Sequence, residues 1–199
     1  MSSRDLILDR VRAALRDAPV VPDVPRDYRP AGTNKADLDV LVDRLVDYKA
    51  QVYRVTSAEV AATVAGLVGE GGAVLVPPGL PAPWRPEGAF ADDGLTPDRI
   101  AAADAVLTAA AVAVAETGTI VLDASPDQGR RIITLLPDVH IIVLRPSQVV
   151  ASVPDAIAHL DGTRPLTWIS GPSATSDIEL NRVEGVHGPR HLHVLLLTD

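Results

Sequence analysis

Cysteine is absent from the 199 residues of the sequence. The chain can therefore form no disulfide bond, offers no thiol nucleophile and cannot hold an iron–sulfur cluster through cysteine ligands. Any redox centre of that kind must lie on another chain. Aromatic residues are also scarce, at 3%, although hydrophobic residues make up 47% of the sequence. The core must be built mainly from Ala, Val, Leu and Ile, which suit strands covered by helices.

Basic residues are also fewer than acidic ones. The sequence has 18 Lys and Arg against 26 Asp and Glu, which gives a net charge of −8. Such a surface repels phosphate backbones and anionic membranes alike, so the composition argues against nucleic acid as a partner. A chain of this length can bury roughly 70% of its unfolded surface. A single domain is therefore sufficient.

Long apolar segments are missing too. The longest, residues 105–115, is shorter than the ~20 residues that a membrane-spanning helix needs, and we expect no membrane span. Residues 1–12 place Arg4, Asp5 and Asp9 among their apolar positions, unlike the unbroken apolar region of a secretory signal. These features together predict a cytoplasmic protein.

The sequence divides into two parts. Apolar residues at helical spacing predict an amphipathic helix over residues 3–17, behind a serine cap. Residues 19–33 follow as a proline-rich arm, because proline removes backbone donors and breaks both helices and sheet ladders. We assign residues 1–35 to this helix and arm, and residues 36–199 to one α/β domain.

Short apolar segments alternate with helical patterns along the larger part. Strands are predicted at residues 52–55, 73–76, 105–108, 140–144, 166–169 and 192–197, and helices near residues 38–46, 57–68, 127–136 and 173–180. Residues 112–115 and 119–122 flank a turn-like segment and predict an antiparallel hairpin. The alternation predicts a three-layer α/β/α fold whose sheet is mostly parallel and has helices on both faces.

The strongest candidate site is a predicted strand that breaks at glycine and enters a hydroxyl-rich helix start. Its candidate ligand-binding residues are Ser170, Gly171, Ser173, Ser176, Asp177 and Glu179. A helix N-terminus has unsatisfied N–H groups and partial positive charge, which suit an anion. In open α/β sheets such a turn lies at the ligand-binding edge. The alternative is that Ser173 or Ser176 merely caps a helix.

The second candidate is Glu116, which interrupts a long Ala and Val segment at the predicted hairpin turn. Thr117, Gly118 and Thr119 follow it and offer donors and backbone freedom for ligand binding. A carboxylate in this position can act as a base, or as a nucleophile toward an activated acyl group. An exposed turn glutamate with no chemical role is an equally open alternative.

The third candidate is His187, which lies between glycines just before the final predicted strand, with Gly188 as a ligand-binding neighbour. An imidazole there can donate to an anionic ligand or shuttle a proton near neutral pH. A structural or exposed histidine is the alternative. His191 and His193 share one face of a strand, but no third ligand stands at a recognisable spacing. The sequence therefore predicts no metal site.

Five short motifs, taken together, resemble one known family. They are AETGT at 115–119, LPDVH at 136–140, SGPS at 170–173, DIE at 177–179 and GVHGP at 185–189. In this order and spacing they resemble the LUD domain of the lactate utilization protein C family. The first hundred residues resemble that family mainly in helix order and length.

The resemblance implies a fold like that of CoA transferases, glucosamine-6-phosphate deaminase and ribose-5-phosphate isomerase. It also implies a role beside iron–sulfur partner subunits in the oxidation of L-lactate to pyruvate, with no cofactor on this chain. A small anionic ligand is compatible with that role. The family often has a basic residue after its SGPS motif, where this sequence has Ala174. No catalytic residue is carried over from the family.

Three functions are open at this point: an accessory or ligand-binding subunit of a lactate-oxidising assembly, a stand-alone enzyme and a scaffold. The enzyme would act on CoA thioesters or sugar phosphates through Glu116, and the scaffold would use its motif loops to contact another subunit. The sequence favours the subunit, because no basic cluster near the motifs is available to hold a phosphorylated cofactor. Whether the chain is catalytic by itself is left open.

Overall fold

A computed structural model describes residues 2–16, 23–32, 34–172, 174–175, 183–184 and 187–199. The α-helices over these residues are α1 (Ser3–Ala14), α2 (Leu38–Asp47), α3 (Val60–Val68), α4 (Pro97–Ala101) and α5 (Val153–His159). The strands before residue 130 are β1 (Gln51–Val55), β2 (Val74–Val76), β3 (Phe90–Ala91), β4 (Ala105–Thr108), β5 (Val112–Val114) and β6 (Thr119–Leu122). Those after it are β7 (Val139–Leu144), β8 (Val149–Val150), β9 (Thr167–Ile169), β10 (Ala174–Thr175), β11 (Val183–Glu184) and β12 (His191–Leu197).

Six parallel strands form the central sheet, in the order β1-β12-β7-β4-β2-β3. Its middle strands β4 and β7 are buried along most of their length because they carry almost continuous Val, Leu and Ile. This is the composition expected of a parallel sheet covered on both faces. The predicted α/β architecture with a mostly parallel sheet is confirmed.

Alternate residues of the central strands enter two separate cores. On one face Ile141 and Val143 pack with Val60 and Val64 of α3. On the other face Ile142 and its neighbours pack with α2 and with a second sheet. The period of two along each strand thus divides the apolar residues between two layers.

A second sheet of four strands, in the order β8-β5-β6-β9, covers part of that other face. Its centre is the antiparallel β5–β6 hairpin that the sequence predicted, and β9 pairs antiparallel with β6. The outer face of this sheet is covered by α5 through Ala156, which packs against Val112, Val114 and Val121. The second sheet supplies the turn that carries Glu116 and the strand that ends at Ser170.

The N-terminal arm lies against the second sheet. Arg29 forms an ion pair with Glu116, with 2.5 Å between Nη2 and Oε1. The Gly32 N–H donates to Asp155 Oδ1 at the start of α5, also at 2.5 Å. Helix α1, which precedes the arm, begins at a capping box centred on Ser2 and has no buried residue. The described part of the arm is therefore held by polar contacts.

Several predicted helices differ from the observed elements. The helix expected over residues 127–136 is a short 3₁₀ turn at Arg131–Thr134. Gly129 has a positive φ of +74°, which interrupts the helical pattern before the turn, and Pro137 follows it. The helix expected from Ser173 is wrong over Ala174–Thr175, which form β10 and pair with β11. Hydroxyl-rich segments offer the backbone alternatives to helix, which weakens such predictions.

Among the described residues, none of the helices combines the length and the apolar character needed to cross a membrane.

Candidate functional site

A cavity of about 280 Å³ opens between the central sheet and strand β9. Its walls include Arg131, His140, Ser170, Gly171, His187 and Gly188. We call this cavity the histidine pocket. It lies near the amino-terminal ends of β7 and β12, where His140 and Leu192 are paired in register. Two of the three predicted loops, the one after β9 and the one before β12, thus meet at one cavity.

His140 is a buried polar residue in the wall of the histidine pocket, with an exposed fraction of 1%. Its Nε2 lies 2.9 Å from the Thr108 hydroxyl oxygen, on the neighbouring strand β4. Burial lowers the pKa of His140 from its ordinary value near 6.5 to about 3. The imidazole is therefore neutral at physiological pH and acts as a fixed hydrogen-bonding group.

The second ring nitrogen of His140, Nδ1, has no hydrogen-bond partner within the described part of the chain. A buried polar atom without a partner costs free energy unless a water or a ligand satisfies it. Since His140 also lines the histidine pocket, a bound polar molecule is the natural partner for this nitrogen.

A chain of hydroxyl groups connects the Glu116 turn to the histidine pocket. The Thr117 hydroxyl donates to Thr119 Oγ1 at 2.8 Å, and Thr119 Oγ1 lies 2.8 Å from Ser170 Oγ. Each hydroxyl has one proton and can also accept. When every member donates onward, Thr119 donates to Ser170 and the Ser170 proton is left for an acceptor in the cavity. This order makes Ser170 a donor suited to a carboxylate.

Two glycines let the turn and the Ser170 loop approach helix α2. A Cβ on Gly171 would lie 2.5 Å from the Tyr48 carbonyl oxygen, and a Cβ on Gly118 would lie 2.7 Å from Arg44 Cβ. Both glycines have positive φ, +79° and +62°, a conformation that disfavours residues with a side chain. The end of α2 thus positions both ends of the hydroxyl chain.

Arg131 is the basic residue in the wall of the histidine pocket, and it makes no ion pair within the residues that the structure describes. It begins the 3₁₀ turn, where its carbonyl accepts from the Thr134 hydroxyl at 2.9 Å. Nearby, Arg190 and Asp138 form a bidentate pair that joins the starts of β12 and β7. This pair lowers the pKa of Asp138. Among the described residues of the wall, Arg131 therefore supplies a cation that an anionic ligand can pair with.

Glu116 lies outside the walls of the histidine pocket. Its Oε1 accepts from Arg29 at 2.5 Å and from the Val153 N–H at 3.2 Å. The hydrogen bond from Arg29 is the main reason why the pKa of Glu116 is lowered. A carboxylate stabilised in this way is a weaker base and nucleophile than a free one. The observed contacts therefore suit a structural tie between the arm and α5 better than acyl transfer.

The structure thus brings some predicted site residues together and separates others. Ser170, Gly171, His187 and Gly188 line the histidine pocket, and Thr117 and Thr119 reach it through the hydroxyl chain. Gly118 packs on α2 and Glu116 binds the arm. The remaining predicted residues, Ser173, Ser176, Asp177 and Glu179, lie outside the described residues.

No cluster of three or more potential metal ligands occurs among the described residues. His193, one of the two strand histidines, is buried beside Tyr53, whose hydroxyl lies 3.4 Å from its Nδ1. Burial is the main reason why the pKa of His193 is lowered. These contacts suit a structural histidine.

Sequence reasoning missed His140 and Arg131 as pocket residues. His140 lies inside a strand that is otherwise apolar, and that interruption could have drawn attention to it. Arg131 follows Arg130 in a segment predicted as helix, where a surface charge is ordinary. Arg130 binds Asp92 through two hydrogen bonds. The two adjacent arginines therefore differ in role, since Arg130 forms an ion pair and Arg131 lines the histidine pocket.

Comparison with known proteins identifies the class. The family model described as the LUD domain matches residues 86–197, more than half of the chain, and the chain belongs to the LUD domain family. The lactate utilization protein C of Deinococcus radiodurans is 47% identical over 176 residues, which cover 84% of this chain and 83% of that protein. The resemblance inferred from the five motifs is confirmed.

Other comparisons agree. The lactate utilization protein C of Bacillus licheniformis is 32% identical over 124 residues, 58% of this chain and 50% of that protein. The crystal structure of a DUF162 family protein from Deinococcus radiodurans matches with a TM-score of 0.69 and 41% identity. That match covers 80% of this chain and 95% of the other.

Proposed function

We propose that this chain serves in lactate utilization, as an accessory or ligand-binding subunit that supports the oxidation of L-lactate to pyruvate. The similarity to proteins named lactate utilization protein C supports this assignment. Oxidation of lactate releases two electrons and two protons, and a chain without cysteine cannot pass the electrons to a cysteine-held cluster of its own. The iron–sulfur clusters would accordingly belong to partner subunits in the cytoplasm.

The observation that carries the proposal is a ring nitrogen of buried His140 that has no partner among the described residues, in the wall of a cavity that also contains Ser170 and Arg131. A 2-hydroxy acid combines one carboxylate with one hydroxyl. Arg131 and Ser170 can donate to the carboxylate, and a neutral imidazole can bond the hydroxyl or the product carbonyl. A small cavity with few polar groups is suited to such a ligand.

The function is tested by growth on L-lactate as the sole carbon source. We expect a deletion strain that lacks any compensating homologue to lose this growth and to regain it with the wild-type gene. Complementation with an Arg131→Gln variant should restore growth poorly, whereas Arg99→Gln, which changes an exposed arginine outside the pocket, should restore it fully. Unimpaired growth of the deletion strain would count decisively against a role in lactate utilization.

The pocket is tested by titration of the purified protein with L-lactate in a calorimeter. A hydrogen bond to a charged group contributes roughly 1.5–3 kcal/mol, so we expect Ser170→Ala to weaken binding about tenfold or more. Thr119→Val removes the donor behind Ser170 with little change in volume and should weaken binding several-fold.

Arg99→Gln is again the control and should bind L-lactate like the wild type. Equal affinity in the wild type and in Ser170→Ala would show that the serine hydroxyl does not hold the ligand. Unfolding curves of Thr119→Val, measured in parallel, separate a loss of binding from a loss of fold.

A further inference from the structure

A second cavity lies at the opposite end of the central sheet. There the chain leaves two neighbouring parallel strands toward opposite faces of the sheet. After β2 the chain passes to the face covered by α3, where Leu80 and Trp84 are buried. After β4, the adjacent strand, it passes to the other face, where Ala110 and Ala113 are buried. In open α/β sheets a crevice forms at such a switch point, outside the carboxyl ends of the strands, and it is a preferred place for ligands.

The loop of residues 123–128, which follows β6, forms the third wall of this crevice. The Gly79 N–H donates to the Pro126 carbonyl at 2.9 Å, and the Ala109 N–H donates to the Asp127 carbonyl at 3.0 Å. The loop is therefore attached to the ends of both β2 and β4. Its fixed position holds the Asp127 side chain beside the crevice.

The cavity enclosed by these walls, which we call the switch-point crevice, has a volume of about 490 Å³. Its polar lining side chains are Asp123, Ser125, Asp127, Gln128, Gln148 and His159. This volume lies within the range of about 300–1,000 Å³ that is usual for small-molecule sites. The crevice shares no lining residue with the histidine pocket.

Some of these polar groups are already used within the protein. Gln148 donates to the Ala110 carbonyl and accepts from the Arg145 N–H. Asp123 accepts from the Ser125 N–H and pairs with Arg164 at 3.1 Å. These contacts fix the walls and use most of the capacity of Asp123, while one amide proton of Gln148 is left over.

Other polar groups of the crevice can form further hydrogen bonds. Asp127 accepts from the Gln128 amide through Oδ1, while its Oδ2 and the Ser125 hydroxyl have no partner within the described part of the chain. His159 Nδ1 lies 2.8 Å from the Asp155 carbonyl oxygen, which can only accept. The proton of a neutral His159 is therefore on Nδ1, and its Nε2 is an acceptor. The unused capacity thus includes two acceptors, Asp127 Oδ2 and His159 Nε2, together with the Ser125 hydroxyl and one amide proton on each of Gln128 and Gln148.

The Asp127 carboxylate has no cationic partner among the described residues, so it can bind groups that donate hydrogen bonds and repels anions. A carboxylate has two oxygens and can therefore accept from two neighbouring hydroxyls, and in dinucleotide-binding folds an acidic residue accepts from a ribose hydroxyl. We propose that the switch-point crevice binds a vicinal pair of hydroxyl groups, from a free sugar or from the ribose of a nucleoside, with Asp127 as the principal acceptor.

The proposal is tested with adenosine, D-ribose and L-lactate as probes of the full chain, by calorimetry and by NMR of the glutamine side-chain amides. Adenosine is expected to bind saturably and to shift the amide signals of Gln128 and Gln148, which L-lactate should leave unchanged. Asp127→Asn, which keeps the shape of the side chain but replaces an acceptor by a donor, should bind at least tenfold more weakly. Asp93→Asn, an exposed change elsewhere, should bind normally.

The remaining probes identify the source of the diol. Binding of D-ribose and adenosine alike indicates the sugar, and binding of adenosine alone indicates a nucleoside. The proposal is overturned if neither compound binds, if 2′-deoxyadenosine binds as tightly as adenosine, or if Asp127→Asn leaves the affinity unchanged. The glutamine signals report the site in the wild type, so the test does not depend on the variant folding well.

Discussion

Replacing Gly171 with alanine is expected to lower the free energy of unfolding by about 3 kcal/mol, because two unfavourable terms act together. The φ of +79° disfavours any residue with a Cβ, and that Cβ would lie 2.5 Å from the Tyr48 carbonyl oxygen and 2.8 Å from Tyr48 Cβ. Relief of this contact would require the end of α2, or the loop that carries Ser170, to move. Urea unfolding of the purified variant measures the loss.

Gly94→Ala is the matched control. Gly94 has a φ of +96°, but a Cβ there would meet no atom within 4 Å. Gly94→Ala therefore reports the conformational cost alone, without a steric cost. We expect this variant to lose about 1 kcal/mol of the free energy of unfolding. Equal losses in the two variants would show that the close approach to Tyr48 is relieved by local movement.

Acidification from pH 7 to pH 5 is expected to lower the free energy of unfolding by about 2 kcal/mol through His140 alone. In the unfolded chain this histidine takes up a proton near pH 6.5, while in the folded protein burial delays protonation until its pKa of about 3. The unfolded state thus binds more protons in this window, so stability falls as pH falls. His193, whose pKa is also lowered, acts in the same direction.

Acidic residues do not account for a loss in that window. The pKa values of Asp92 and Asp138 are lowered by their hydrogen bonds from Arg130 and Arg190. A carboxylate of this kind stabilises the fold above its unfolded pKa of about 4 and loses that contribution only at lower pH. Their effect should therefore appear below pH 4.

The dependence on pH is measured by urea unfolding at pH 7, 6 and 5. His140→Gln removes the titrating group and should flatten the slope, whatever its effect on stability at pH 7. NMR of the His140 ring gives an independent result, since a protonated ring at pH 5 in the folded protein would contradict the assignment.

Strands were more predictable from sequence than helices. The buried strands β4, β7 and β12 carry nearly continuous apolar residues. They can be recognised from these apolar segments without any alternation of apolar and polar residues. The β5–β6 hairpin is local and could be predicted for that reason. The pairing of β6 with β9 joins segments more than 40 residues apart, and no local pattern specifies it. The second sheet therefore appeared only with the structure.

The candidate site shows the same division between local and distant information. Ser170 and His187 lie in glycine-containing loops, where polar residues attract notice, and both line the histidine pocket. The contact of Glu116 with Arg29 spans 87 positions and could not be anticipated from the turn alone. His140 gained its importance from Thr108 on a neighbouring strand. Residue type predicted which loops matter, and tertiary contacts determined what each group can do.

The order of strands in the central sheet bears on how the protein is made. Among the described strands, β1 pairs only with β12, and β12 lies between β1 and β7. A nascent chain therefore holds β1 without a neighbour until some 140 further residues have left the ribosome. At about 5–20 residues per second, that interval lasts several seconds or more. During that interval the sheet stays open between β1 and β7, and it closes only when β12 emerges.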